Sequence, residues 1–264
     1  MKISLIQMDA GQDKEANIGK ALVFLDEAVE VGTDIVCFPE MFSVYGGDRF
    51  EYAEMDADSG TVKRFRDVAR EKRVGIVLGS VKVRTDQVGK VTNTLFVINR
   101  DGEIICRYDK IHMYDVMRED VYVRESDETV SGESIGSFEF DGVKMGVGIC
   151  FDLRFPNYFQ TLMQTGAEVI FLPSHFRKAT GRIAWDILPN ARAIENQSYF
   201  CACGQAGGEG AKARCAHTKL ISYDGIVLGE LGEEEGVLTV DIDLERLRTF
   251  RKEFPVLEQV RSFQ

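Results

Sequence analysis

No apolar run in this chain approaches the roughly 18 residues that a membrane-spanning helix requires. The opening MKISLIQMDAGQD carries one Lys and a short apolar run alternating with polar residues, not the long apolar region of a signal peptide. It reads as a first β-strand, and the expected location is cytoplasmic, with no membrane partner. Positive charge is also short: 32 Lys and Arg against 43 Asp and Glu give a formal net charge of -11. A nucleic-acid partner is therefore not expected, because phosphate binding needs basic patches. Net charge does not constrain a buried small-molecule site, whose local field can have the opposite sign. With three histidines in the chain, and Cys201 and Cys203 spaced C-x-C rather than C-x-x-C, no metal site is expected. No Pro- or Ser-rich linker divides the sequence, so one domain over residues 1–264 is expected. G-x-S-x-G, G-x-x-x-x-G-K-[ST] and a G-x-G-x-x-G after a strand are all missing. Their absence removes the serine-hydrolase elbow, the phosphate loop and the dinucleotide fingerprint.

What is present is a core-forming composition, 44% hydrophobic with 10% aromatics, which argues against disorder. Six cysteines would fit a disulfide framework, but a cytosolic chain of this size does not need one. Most of them read as small core residues. Short Val- and Ile-rich runs predict strands over Ile3–Met8, Ile35–Phe38, Gly75–Val83, Thr94–Asn99, Lys144–Cys150, Val169–Leu172 and Tyr199–Cys203. Helical spacing marks Asn17–Glu30, Val62–Glu71 and Arg182–Glu195. Asp101–Gly102 and Asp224–Gly225 each sit inside a hairpin signal. The Glu233–Glu235 run reads as a solvated loop.

The two halves repeat each other. VGTDIVCFPEMF (31–42) matches TGAEVIFLPSHF (165–176), with Gly32 against Gly166, Asp34 against Glu168, Pro39 against Pro173 and Phe42 against Phe176. Each block lies between helices, and each half later carries its Asp-Gly hairpin. A duplicated β-α-β-α unit plus hairpin gives two mixed sheets. Packed sheet against sheet and covered by helices, they form an α-β-β-α sandwich of the α/β class.

Three side chains stand out at strand ends. Cys150 follows KMGVGIC and precedes a turn into a helix with Pro156 near its first turn, a position expected to favour the thiolate. Alone it would read as a buried structural thiol. Glu40 follows DIVCFP, while the duplicated half has Ser174 there, so the fold itself does not demand a carboxylate. Lys110 follows IICRYD and alone would read as solvated. His112 beside it reads as a satisfied half-buried imidazole. Together, a thiol, a carboxylate and an ammonium in one cleft suit amide hydrolysis: the thiol needs a base, and the oxyanion needs a charge or aimed N–H donors.

FPEMF, YDKIHMYD and GICFDLRFP, in that order, with ARAIENQSYF after them, closely resemble the signature blocks of the nitrilase, or carbon–nitrogen hydrolase, superfamily. The likeness covers essentially the whole chain and is nearest to its omega-amidase-like branch. It implies the sandwich fold and a dimer or larger homo-oligomer, assembled through the helices after the nucleophile and the C-terminal segment. It also implies Glu40 as general base, Lys110 as stabiliser of the tetrahedral intermediate and Cys150 as nucleophile. A further glutamate is implied between the Lys and Cys blocks: Glu125, with Glu119 the weaker match. The backbone N–H of Phe151 would complete the oxyanion hole. The chain departs from the common G-x-x-H-W-x-x-L pattern at Ala184, where relatives often have His, which leaves branch and substrate open.

The expected activity is cysteine-dependent hydrolysis of a small carboxamide through a thioester, with no cofactor required. Nitrile hydrolysis on the same triad is the alternative, and a non-catalytic binding protein of the same fold is a third. Arg154, His175, Phe176 and Arg177 follow strand ends near the expected site. Arg154 suits a substrate carboxylate, or else a structural ion pair at the cleft wall.

Overall fold

The computed structural model describes the chain apart from residues 48, 49, 59, 119, 120 and 262–264. Glu119 therefore lies outside the described residues. The first half runs β1 (Lys2–Gln7), α1 (Lys14–Glu30), β2 (Ile35–Cys37), α2 (Gly60–Lys72), β3 (Gly75–Arg84), β4 (Val91–Ile98) and β5 (Ile104–Asp109). A short hairpin of β6 (Asp115–Arg118) and β7 (Val121–Arg124) leads into the second half. That half runs β8 (Gly136–Phe140), β9 (Val143–Val147), α3 (Pro156–Gln164), β10 (Val169–Ser174), α4 (Lys178–Asn196), β11 (Tyr199–Gly204), β12 (Lys219–Ile221) and β13 (Val227–Glu230). Then β14 (Gly236–Asp241) returns to the first sheet, and α5 (Leu244–Glu253) follows.

One sheet has the order β14-β1-β2-β3-β4-β5 and the other β13-β12-β11-β10-β9-β8. In each, the three strands joined through helices are parallel and the hairpin strands antiparallel, as crossover and hairpin connections dictate. The sheets face each other through β1 against β11 and β3 against β10, with α1 and α2 on one outer face and α4 on the other. This is the expected α-β-β-α sandwich. The duplication extends to detail: the register slips between Val97 and Ile98 in one half and between Leu220 and Ile221 in the other. Both hairpin glycines, Gly102 and Gly225, adopt positive φ (74° and 88°), the left-handed conformation glycine reaches without a steric penalty.

Burial follows the patterning. Ile18 and Leu25 of α1 and Val62 and Phe65 of α2 pack on the outer face of the first sheet. Phe38, Phe42 and Phe65 form a mutual cluster there, with centroids 4.9 to 5.3 Å apart. The larger core lies between the sheets and under α3 and α4, from Ile3, Leu5 and Leu95 through Phe171 and Phe200 to Trp185. Full burial of each such side chain is worth about 1.5–3 kcal/mol. Helix α1 starts where Asp13 accepts from the Ala16 N–H at 3.0 Å, a cap worth about 1 kcal/mol. Among the described residues, no helix is long and apolar enough to cross a membrane.

Three local expectations shift. Helix α4 starts at Lys178 rather than Arg182. Strand β9 ends at Val147, and Cys150 opens a short 3-10 turn, Cys150–Arg154, ahead of α3. The acidic run is not merely solvated: Glu233 pairs with Lys178, and Glu235 with Lys20 and the Asp9 N–H.

Candidate active site

The Glu40 turn is built by its neighbours. Strand β3 slips register between Leu78 and Val81. At Gly79 a Cβ would collide with the Pro39 carbonyl, so only glycine lets the two chains approach so closely. Ser80 Oγ accepts from the Met41 N–H at 3.2 Å. From the opposite sheet, Gln205 Nε2 donates to the Glu40 carbonyl at 2.6 Å and to that of Met41 at 3.2 Å. The backbone is clamped from both sides, and Glu40 is 2% exposed.

Lys110 follows β5, its N–H bonded to the Asn93 carbonyl at 2.9 Å. Its Nζ donates to Glu40 Oε1 at 3.1 Å and to Glu125 Oε2 at 2.9 Å. Glu125 also accepts from the Tyr114 N–H at 2.9 Å and lies 3.5 Å from Lys82 Nζ. Asn93 Nδ2 spans both carboxylates, at 2.9 Å from Glu40 and 3.4 Å from Glu125. Burial alone would push the Lys110 ammonium down, but Glu125 and Glu40 outweigh it and hold the group well above the usual lysine range. Burial would raise the Glu125 carboxyl, yet Lys110 and Lys82 hold it well below the usual range. Lys110 and Glu125 are therefore charged at neutral pH. Such a buried network is a poor route to stability, because desolvation consumes most of the Coulomb gain. Clusters of this kind are a hallmark of functional sites.

Cys150 adopts φ 47°, a left-handed conformation that costs a non-glycine residue about 1–3 kcal/mol and persists only where its surroundings enforce it. Asp152 does the enforcing. Its carboxylate accepts from the Ile149 N–H at 2.8 Å, Tyr108 OH at 2.7 Å and the His112 N–H at 3.1 Å, and pairs with His112 Nδ1 at 2.7 Å. Tyr108 and His112 flank Lys110, so one buried carboxylate locks the cysteine turn to the lysine strand. His112 also stacks on Phe155 at 3.6 Å, the satisfied half-buried imidazole expected.

The expectation of a favoured thiolate is overturned. Burial pushes the Cys150 thiol well up, and the adjacent Glu40 carboxylate adds to the shift. Lys110 and the backbone N–H of His175 offset only part of it. The five-residue 3-10 turn supplies too little aligned dipole to compensate. The sulfur keeps its proton until a base removes it.

Cys150, Glu40, Lys110 and Glu125 share one pocket with Phe151, Arg154, His175 and Phe176, so every expected site residue among those described is brought together. The cavity holds about 70 Å³, space for a few waters or a small acyl group. Arg154 lies over the Phe151 and Phe176 rings, 5.6 and 5.9 Å from their centroids. It donates to the Thr180 carbonyl at 3.2 Å, while its buried Nε has no partner. The structural ion pair considered for Arg154 does not form among the described residues. The His175 ring is held from two sides: Nε2 accepts from Arg214 Nε at 2.9 Å, and the ring stacks on Tyr45 at 4.1 Å. Phe176 leans on Trp185. Ala184 lines an adjoining surface cleft with Ile183 and Leu188, and not this pocket.

Sequence reasoning missed Asn93, Lys82, Tyr114, Asp152, Gln205 and Tyr45. Two had a readable signal: Lys82 and Asn93 place an ammonium and a carboxamide inside the Val- and Ile-bearing strands GIVLGSVKVR and VTNTLFVI.

A buried thiol facing paired carboxylates and an ammonium, at the strand ends of this sandwich, is an arrangement suited to hydrolysing carbon–nitrogen bonds. Residues 2–252 match the family model described as carbon-nitrogen hydrolase, and the chain belongs to that family. It is 33% identical over 265 residues to human omega-amidase NIT2, covering 99% of this chain and 95% of that protein. It is 33% identical over 269 residues to deaminated glutathione amidase of Dictyostelium discoideum, covering 97% and 92%. Among solved structures it resembles Saccharomyces cerevisiae Nit3, a member of branch 10 of the nitrilase superfamily, with TM-score 0.88 at 28% identity, covering 97% and 94%. It also resembles a CN-hydrolase superfamily protein of Xanthomonas campestris with an arsenic adduct in its active site, with TM-score 0.87 at 27% identity, covering 100% and 98%.

Proposed function

We propose that the chain is an amidase that hydrolyses small carboxamides through a thioester on Cys150. The carrying observation is the buried contact set in which Lys110 bridges Glu40 and Glu125 in the pocket that holds the Cys150 thiol. Glu40 takes the Sγ proton as sulfur attacks the amide carbon, so the thiolate exists only as it reacts. The Lys110 ammonium and the Phe151 N–H hold the oxyanion. Glu40 returns the proton to the leaving nitrogen, and ammonia or an amine departs. Glu40 then activates water, which opens the thioester to the carboxylic acid. Glu125 keeps Lys110 charged and aimed.

The small cavity, with Arg154 and its unpartnered Nε in the wall, supports an acyl group carrying its own carboxylate, bound by the guanidinium. The amidase names of the relatives support the same reading. Ammonia release from a panel of small carboxamides tests it. Amides of dicarboxylic acids should be turned over best, and nitriles poorly. Efficient nitrile hydrolysis with no activity across the amides would reverse the reading.

The chain acts as a homodimer in this proposal. Ile183, Ile187 and Ile194 on α4, with Ile226 and Phe254, are exposed apolar side chains, and a set of this kind marks an interaction surface. Sedimentation at micromolar concentration should give twice the chain mass, and a monomer would contradict it.

A further inference from the structure

Arg214 belongs to none of the roles above, yet it is tied to three strand ends at once. Its side chain is 6% exposed and pairs with Asp9 Oδ1 at 2.5 Å. Its Nη1 and Nη2 donate to the Ala206 and Ala10 carbonyls, each at 3.1 Å. Its guanidinium lies 5.0 Å from the centroid of the Tyr45 ring. The remaining donor, Nε, points to His175 Nε2 at 2.9 Å.

A guanidinium can only donate, so His175 Nε2 must accept and the ring proton must sit on Nδ1. The ring is held on its face by Tyr45, 4.1 Å away and tilted by 26°. This imidazole belongs to a residue that shares the Cys150 pocket and whose backbone N–H is among the groups favouring negative charge on that sulfur. An N–H aimed there stabilises negative charge on sulfur when Glu40 removes the proton, and again when the thioester collapses.

We infer that Arg214 is a positioning residue: through its bond to His175 Nε2 it fixes the His175 backbone N–H on the Cys150 sulfur. The inference rests on Cys150 being the nucleophile. The groups facing His175 agree with a neutral ring at neutral pH. Arg214 comes from the segment before β12, Arg177 from the start of α4, Lys110 from the end of β5, and Tyr45 from the loop after β2. Burial comes first and the Arg214 and Arg177 charges next in pushing the imidazole down to about 3. Asp9 is engaged by Arg214, and Glu40 by Lys110 and Asn93. A protonated His175 could not accept from Arg214, so the bond requires the neutral ring that burial and these charges favour.

The test separates an acceptor from a mere space-filler. His175→Gln keeps an acceptor for Arg214, while His175→Phe keeps the stacking on Tyr45 and removes the acceptor. One aimed donor is worth about 10²–10³ in rate, and misaiming without removal should cost part of that. The kcat of H175Q should exceed that of H175F by roughly tenfold, with KM values within about twofold of each other. Arg214→Met should lower kcat comparably, again with little change in KM. The His175 pair leaves the Asp9–Arg214 pairing in place, so it decides the question even if R214M does not fold. Equal kcat in H175Q and H175F, or wild-type kcat in folded R214M, overturns the inference. Cys150→Ala run alongside keeps the two readings apart: retained activity there would sink the nucleophile assignment instead.

Discussion

The two halves of the sandwich have nearly the same backbone and opposite uses for it. Ile35 lies beside Ile3 in one sheet as Val169 lies beside Met145 in the other. Counting along from those pairs, Glu40 corresponds to Ser174 and Cys150 to Met8. Carried through the hairpins, where Ile98 faces Ile104 and Ile221 faces Val227, Lys110 corresponds to Glu233. Ser174 bonds its own strand's Leu172 carbonyl, Met8 is core, and Glu233 is a half-solvated partner of Lys178. The fold thus accepts a small hydroxyl, a thioether and a surface acid at the positions where the other set is a carboxylate, a thiol and a buried ammonium. Charge at the first set is not a demand of the backbone, which is why function is its best explanation.

Matched substitutions in the two sets test that contrast. Cys150→Ala should abolish turnover, while its counterpart Met8→Ala should cost about 2–5 kcal/mol of stability and leave activity in the folded fraction. Ammonia release and a denaturant melt on both variants check this. Glu40→Gln is nearly isosteric but cannot take the thiol proton. General-base catalysis is worth about 10²–10⁴, and with Glu40 proposed to act in both half-reactions, a loss at or above the upper end is expected in kcat. Ser174→Ala should change it little. Lys110→Ala should cost about 10²–10³ in kcat, against no measurable change for Glu233→Gln; equal losses in that pair would dissolve the contrast.

The smallest effect concerns acid stability. The Lys110 and Lys82 charges hold the Glu125 carboxyl below its ordinary value. Its contribution is therefore present above the unfolded-state value of about 4.3 and is lost as pH falls through the folded-state value. The Tm advantage of the wild type over Glu125→Gln should shrink as pH drops below about 4.3, and an advantage that widened in acid would have the wrong sign.

Much of this contrast was legible in the sequence, since the repeat of residues 31–42 in 165–176 already set Glu40 against Ser174. Strand ends were readable to within a few residues because Val- and Ile-rich runs stop abruptly at FPE, YDK and GIC. What the sequence did not yield was long-range pairing. Gln205 reaches the Glu40 carbonyl from the opposite sheet, and Asp152 ties Cys150 to Tyr108 and His112 across more than 35 positions. No local pattern encodes such contacts. The thiolate expectation failed for a related reason: helix proximity was visible in the sequence, but burial next to a carboxylate was not.

The central claim is that Cys150 carries the acyl group. Enzyme quenched during turnover of a good amide, digested and examined by mass spectrometry, should show an acyl adduct on the peptide containing Cys150 and on no other cysteine peptide. The adduct should be absent from Cys150→Ala. Steady turnover with no adduct on that peptide, or near-wild-type amidase activity in Cys150→Ala, would contradict the account.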